Sequence, residues 1–247
     1  MQDLVGLVPA AGKGLRLGLP YPKELYPIIS DNRYKPVAQH VLENLVSAGA
    51  RHVVLVVNET KHQLLGYFGS GRRFGCELSY VVQEPLDEAT GGSSGLAEAL
   101  DAGYHLVRGK TVVFGMADTI VLPVDAFTAL FDERHAAADV VLGLFETDQP
   151  QKFGMVDFDD AGVVRAIVDK PKETDLRWMW GCVLWRPRFT EFLHQSLAGK
   201  GPNDFATILN AARAAGLEQC AARIAGSYID VGTYDEIARL EERYRSR

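Results

Sequence analysis

Short apolar runs of strand length alternate with helical stretches through the first half of this chain, and few folds accept that pattern. Leu4 to Val8 reads as a buried strand, and "HVVLVVN" (52–58), "LSYVVQ" (78–83), "TVVFGMAD" (111–118) and "DVVLGLFET" (139–147) read the same way. Between them, 36–49, 95–107 and 123–135 carry helical periodicity. The alternation predicts an α/β fold, a Rossmann-like, mainly parallel sheet with helices on both faces. Ligands of such sheets bind beyond the carboxyl ends of the strands, so the loops there are where chemistry is expected.

The second half changes character. Residues 152–171 alternate apolar and polar around Asp159-Asp160-Ala161-Gly162, a hairpin signature. A strand follows at 179–187, then helices near 188–197 and 203–215, and a strand-turn-helix from Gly226 onward. No repeat, low-complexity stretch or linker divides the halves. Residues 1–247 are therefore read as a single domain whose second half supplies a small β-rich subsite over the first.

The first strand runs into "LVPAAGKGLRLGLPYPKELYPI" (7–28), which is too rich in glycine and cations for an ordinary connection. Gly12 and Gly14 let a ligand approach bare amide N–H groups, and Lys13, Arg16 and Lys23 add positive charge. Together they suggest a phosphate cradle, although a tight turn alone also explains glycines there. Spacing excludes the P-loop, because Gly12-Lys13-Gly14 is followed by Leu15, and the dinucleotide fingerprint, because Leu17 stands where its third glycine belongs.

A net charge of −6 argues against a nucleic-acid partner, so these cations serve something local and anionic. Cys76, Cys182 and Cys220 suggest neither a disulfide framework nor a zinc site, and the six histidines show no metal-binding spacing. The opening residues pass straight into a strand and no apolar run is long enough for a bilayer. No signal peptide and no membrane partner are expected, and a cytoplasmic location is the default.

Asp118 ends a buried-looking strand and Asp230 lies between the last strand and the last helix. Either residue could simply cap a helix. As a pair facing a phosphate loop they suit Mg²⁺, which takes one or two carboxylates plus substrate phosphates. Asp169-Lys170-Pro171 ends the hairpin and could project Lys170 into the same crevice, or leave it as an exposed turn lysine. Gln83 ends the third strand with an amide that suits a nucleobase edge, and Gly91, Gly92 and Gly95 precede a helix where backbone could approach a flat base.

In order along the chain, "AAGKGLRL", "PKELYP", Gln83, Gly95-Leu96-Ala97-Glu98-Ala99, Asp118, Phe153-Gly154-Met155-Val156, Asp169-Lys170-Pro171, Trp180-Gly181-Cys182-Val183 and Tyr228-Ile229-Asp230-Val231-Gly232-Thr233 resemble the sugar-1-phosphate nucleotidyltransferases. The glucose-1-phosphate thymidylyl- and uridylyltransferases are the nearest in pattern. The resemblance runs nearly end to end. It implies the nucleotide-diphospho-sugar transferase fold and a reaction between a nucleoside triphosphate, dTTP or UTP favoured, and a sugar 1-phosphate, giving an NDP-sugar and pyrophosphate.

It also implies roles. Arg16, Lys23 and Asp118 would be catalytic, and Asp118 and Asp230 would hold Mg²⁺. Ala11, Gly12, Gly14, Gln83 and Gly95 would bind the nucleotide, and Gly154, Asp169 and Lys170 the sugar phosphate. A homo-oligomer is compatible with the family, and no acyltransferase repeats are expected after Arg247. The chain departs from the family pattern at Leu15 for Thr, Asp169 for Glu, Trp180 for Thr, and in a longer loop between Gln83 and Gly95. Two other readings remain open at this point. One is a cytidylyltransferase acting on a polyol phosphate or another small phosphate, which the opening "VPAAGKGLRLGLPYPKEL" also fits. The other is a non-catalytic nucleotide or sugar-phosphate sensor.

Overall fold

A computed structural model describes residues 3–12, 14, 17–30, 33–84, 95–199 and 203–245. Strand β1 (Leu4–Pro9) leads through a short turn at Lys23–Leu25 to the hairpin β2 (Pro27–Ser30) and β3 (Arg33–Pro36) and to helix α1 (Val37–Ser47). Then come β4 (His52–Val57), α2 (His62–Phe68), β5 (Glu77–Val82), α3 (Leu96–Ala102), α4 (Tyr104–Val107), β6 (Thr111–Gly115), β7 (Thr119–Leu122) and β8 (Val140–Glu146). The second half adds β9 (Gly154–Phe158), β10 (Val164–Asp169), β11 (Trp178–Trp185), α5 (Pro187–Ala198), α6 (Phe205–Ala214), β12 (Gln219–Arg223), β13 (Ser227–Asp230) and α7 (Tyr234–Arg245).

The expected α/β architecture is present. Strands β5, β4, β1 and β6 form a parallel block in that order, so their carboxyl ends share one edge of the sheet. β11 runs antiparallel beside β6 and pairs with β8, which carries β12 parallel to it. The β9–β10 hairpin joins the same sheet where Met179 of β11 faces Met155. Asp159 closes that hairpin: its Oδ1 accepts the N–H groups of Ala161 and Val163, and Gly162 takes the left-handed conformation (φ 84°) the turn requires.

Alternation along the strands divides the core between the two faces. Val53, Leu55 and Val57 point with Val113 toward Val41, Leu42 and Leu45 of α1 and Leu64 and Phe68 of α2. Val54, Val56, Val112 and Phe114 point the other way, toward Leu100 of α3, Phe189 and Leu193 of α5 and Phe205, Ile208 and Leu209 of α6. A third, smaller cluster packs Ile237 and Leu240 of α7 against Leu17, Ile28, Val37, Ile120 and Val231. That cluster anchors α7 beside the strand ends.

Several elements differ from expectation, for local reasons. The strand expected over 111–118 stops at Gly115, where a Cβ would stand 2.6 Å from the Val41 side chain and 2.9 Å from Phe127. Chain direction then changes, and Thr119–Leu122 pairs antiparallel with Ser227–Asp230 in a separate ribbon. The helix expected over 123–135 is two 3-10 segments, Ala126–Phe131 and Glu133–His135, held apart by Asp132. Gly103 divides the helix expected over 95–107. The sequence reading missed the β2–β3 hairpin, α2 and β12. Among the described residues no helix is long and apolar enough to cross a membrane.

A buried ion pair fixes the segment after the glycine loop. Glu24 and Lys61 are only 2% and 4% exposed and bond to each other, although Glu24 Oε2 has no partner among the described residues. Burial raises the Glu24 carboxyl above its ordinary pKa, and Lys61 only partly opposes this. Lys61→Met would strand a charge, and we expect it to lower the unfolding free energy by about 3 kcal/mol in a denaturant titration. The double variant Glu24→Gln, Lys61→Met removes both charges and is expected to recover most of that loss. A double variant as unstable as the single one would contradict this account of the pair.

Candidate active site

The loop after β1 is pinned to its neighbour before it reaches the crevice. Ala10 N–H donates to Val56 O at 2.7 Å, and Asn58, at the end of β4, donates its Nδ2 to Ala11 O at 2.7 Å. Asn58 is itself oriented by the backbone and hydroxyl of Thr60, at 3.0 and 2.7 Å. Gly14 has φ 64°, a conformation that favours glycine, and lines the crevice. Arg16, expected to be catalytic, lies outside the described residues, as do Lys13, Leu15, Gly91 and Gly92.

Beyond the carboxyl ends of β1 and β6 opens a crevice of about 680 Å³. Gly14, Lys23, Gly95, Asp118, Gly154, Asp169, Lys170 and Asp230 all line it, eight residues expected from sequence to act together. Ala11, Gly12 and Gln83 are outside this lining, at the ends of β1 and β5 on the same edge of the sheet. Gln83 N–H donates to Val57 O at 2.7 Å, and its side chain is half-buried. Gly95 caps α3 and donates its N–H to Glu98 Oε2 at 2.9 Å.

Sheet pairing joins the two aspartates. Asp230 faces Thr119 in the β7–β13 ribbon, and Val231 N–H donates to Asp118 O at 3.0 Å. Lys23 Nζ lies 2.5 Å from Asp118 Oδ2, and both side chains are 19% exposed. Burial lowers the Lys23 pKa, but Asp118, with Glu24 and Asp230, more than offsets this and the net shift is upward. Asp118 Oδ1 is buried and has no partner among the described residues. The Asp230 carboxyl is pushed up to about 6, first by burial, then by Asp118 and Glu236. Glu236 accepts from Lys152 at 2.9 Å and from Gly232 N–H at 3.0 Å.

These features fit a divalent cation. The described lining has four carboxylates, Asp118, Asp169, Asp204 and Asp230, against three lysines, Lys23, Lys152 and Lys170. Two of those carboxylates are crowded together, and one carries an orphaned oxygen, which a hard cation satisfies. No cluster of three or more metal-binding side chains exists among the described residues, so phosphate or water oxygens must complete such a site.

Lys170 occupies the left-handed region (φ 43°), strained for a residue with a side chain and typical of ligand-binding turns. Its N–H donates to Phe153 O at 3.0 Å, which holds the ends of β9 and β10 together at the crevice. Sequence reading missed Lys152, Asn203, Asp204, Asn58 and the Glu24–Lys61 pair. Asp204 was findable: it accepts from Thr207 N–H at 2.8 Å as the N-cap of α6, and an Asp just before an apolar helical run marks a helix start. Lys152 carries no such signal, because only the fold brings α7 beside it.

Comparisons with known proteins bear on the family and the fold. Residues 5–247 match the family model described as nucleotidyl transferase. A glucose-1-phosphate thymidylyltransferase of Actinoplanes sp. is 31% identical over 170 residues, covering 67% of this chain and 52% of that protein, so the chain spans about half the length of this relative. Among solved structures, a UDP-glucose pyrophosphorylase complexed with UDP-glucose has a TM-score of 0.79 at 22% identity, covering 100% of this chain and 99% of its own. A UTP-bound UGPase from Acinetobacter baumannii has a TM-score of 0.76 at 17% identity, covering 99% and 93%. At these identities the two structures show the fold.

The raised Asp230 pKa predicts how stability depends on pH when no divalent cation is present. Between about pH 4 and 6 the unfolded chain has released this proton and the folded chain still holds it, so stability falls as pH rises through that window. Asp230→Asn removes the effect. In thermal denaturation with a chelator, the variant is expected to be the more stable at about pH 7.5, with the gap closing toward about pH 4.5. A gap independent of pH would refute the assignment.

Proposed function

This chain belongs to the nucleotidyl transferase family, and on that premise we propose that it joins a nucleoside triphosphate to a sugar 1-phosphate, releasing pyrophosphate and an NDP-sugar. The names carried by the relatives support dTTP or UTP as the nucleotide and glucose 1-phosphate as a first acceptor to try. The observation that carries the reading is Lys23, Asp118 and Asp230 meeting in one crevice, with the buried Asp118 Oδ1 left without a partner among the described residues.

In this reaction an anionic phosphate oxygen of the sugar 1-phosphate attacks the α-phosphorus in line. The P–O bond to the β-phosphate breaks and its electron pair leaves with pyrophosphate. The attacking oxygen is already ionised, so no side chain has to serve as base or nucleophile, and the protein's task is alignment and charge stabilisation. Ala11, Gly12 and Gly14 are assigned to the triphosphate through their backbone amides, and Arg16 through its charge. Lys23 sits where a cation can share its charge between Asp118 and the α-phosphate. Asp118 and Asp230 would hold Mg²⁺, which would supply neutralisation of the phosphate oxygens. Gln83 and Gly95 are assigned to the base, and Gly154, Asp169 and Lys170 to the sugar phosphate.

The test is pyrophosphate release with Mg²⁺ across dTTP, UTP, CTP, GTP and ATP, each paired with a panel of sugar 1-phosphates and with methylerythritol 4-phosphate. Turnover is expected with a pyrimidine nucleotide and a sugar 1-phosphate. Release only with methylerythritol 4-phosphate and CTP would replace this reading by a polyol-phosphate cytidylyltransferase. Asp118→Asn should lose turnover on the order of 100-fold or more while circular dichroism stays unchanged. An unaltered magnesium-dependent rate in that variant would overturn the role given to Asp118.

A further inference from the structure

We propose that Trp180 is the platform on which the sugar ring of the acceptor lies, and hence a determinant of acceptor choice; this rests on the nucleotidyl-transfer reading above. The side chain is aimed by a defect in its strand. Opposite β8, Trp180 pairs with Leu144 and Cys182 with Gly143, so Gly181 is an extra residue, a β-bulge. The bulge resets the alternation, and Trp178 and Trp180 end on the same face as Val183 and Trp185 rather than on the opposite one.

The indole is braced from behind and open in front. Phe205 meets it edge-on at 5.6 Å and Phe114 lies 6.1 Å away, both from the core of that face. A Cβ added to Gly154 would stand 2.2 Å from Trp180 Nε1, so the ring edge rests on a bare glycine and shares the space a side chain would fill. Nε1 itself is buried with no acceptor among the described residues. Interiors seldom leave an indole N–H unpaired, and such placements are tolerated where they serve a ligand.

The rest of the ring lines the crevice beside Asp169, Lys170, Asn203 and Asp204. A pyranose has an apolar C–H face and a polar rim of hydroxyls. The indole matches the face, and the carboxylates and amide around it match the rim. A nucleobase could also stack on tryptophan, but the sheet order argues against that here. Of the two residues assigned to the base, Gln83 ends β5, separated from β11 by β4, β1 and β6 and so across the parallel block from Trp180; Gly95 lines the same crevice as Trp180, and the nucleotide KM of the Trp180 variants separates the two occupants.

Steady-state pyrophosphate release by Trp180→Ala and Trp180→Phe, each checked for folding by circular dichroism, tests this. Trp180→Ala should raise the acceptor KM about tenfold or more and leave the nucleotide KM within about twofold, while Trp180→Phe recovers most of the loss. An unchanged acceptor KM in Trp180→Ala, or a rise confined to the nucleotide KM, overturns the platform and leaves the reaction standing. Absence of turnover by the wild type with every pairing overturns the reaction itself. The platform is then judged by fluorescence titration with sugar 1-phosphates: quenching in the wild type that is lost in Trp180→Phe supports it, and equal or absent quenching in both defeats it.

Discussion

Everything proposed for this site depends on four backbone pairings between β7 and β13, segments far apart in the chain. The register sets Asp230 opposite Thr119 and thereby beside Asp118, and the Val231–Asp118 hydrogen bond extends the ribbon by one step. A shift of one residue would turn Asp230 to the other side of the ribbon. Packing of Ile237 and Leu240 of α7 against Ile120 and Leu17 makes that register expensive to leave. Secondary structure and hydrophobic contact thus bring two carboxylates together, an unfavourable arrangement that Lys23 only partly offsets.

The cations of the crevice show a matching restraint. Lys23 is held by Asp118 and Lys152 by Glu236, whose second oxygen takes the Gly232 N–H in the loop that follows Asp230. Charged groups fixed in advance lose little freedom when an anionic substrate arrives, which is how preorganised sites lower a barrier. Behind Lys23, the Glu24–Lys61 pair fastens the same short segment to the start of α2. Neighbouring residues in the sequence therefore divide two tasks, one facing the ligand and the other the interior.

Much of this was legible in the sequence, where local pattern and tertiary demand coincide. β1 and β4 are apolar and buried on both faces, and Asp159 to Gly162 spells its own turn, so these elements emerge near their expected limits. Asp118 and Asp230 were recognisable by their places at strand ends, and eight expected residues meet in one crevice. What escaped was set by long-range contact. β7 went unread: the expected strand ended at Asp118, and Thr119 to Leu122 forms a strand of its own by pairing with β13 from the far end of the chain. β12, "QCAAR", has little strand character of its own and exists because β8 offers a parallel edge. Lys152 and Asn203 become neighbours of the site through folding alone.

The bulge at Gly181 has a consequence for how this chain can change. Most of its surface turns can gain or lose a residue at modest cost, since loop closure varies slowly with length. β11 cannot. It is the central seam, paired with β6, β8 and β9, and its two halves are kept in phase by a single surplus residue. Deleting that residue would turn either the crevice end or the core end of the strand inside out, exchanging Trp180 or Trp185 for its neighbour across the sheet. Point substitutions along β11 are open to drift one at a time, whereas its length is held by both ends at once.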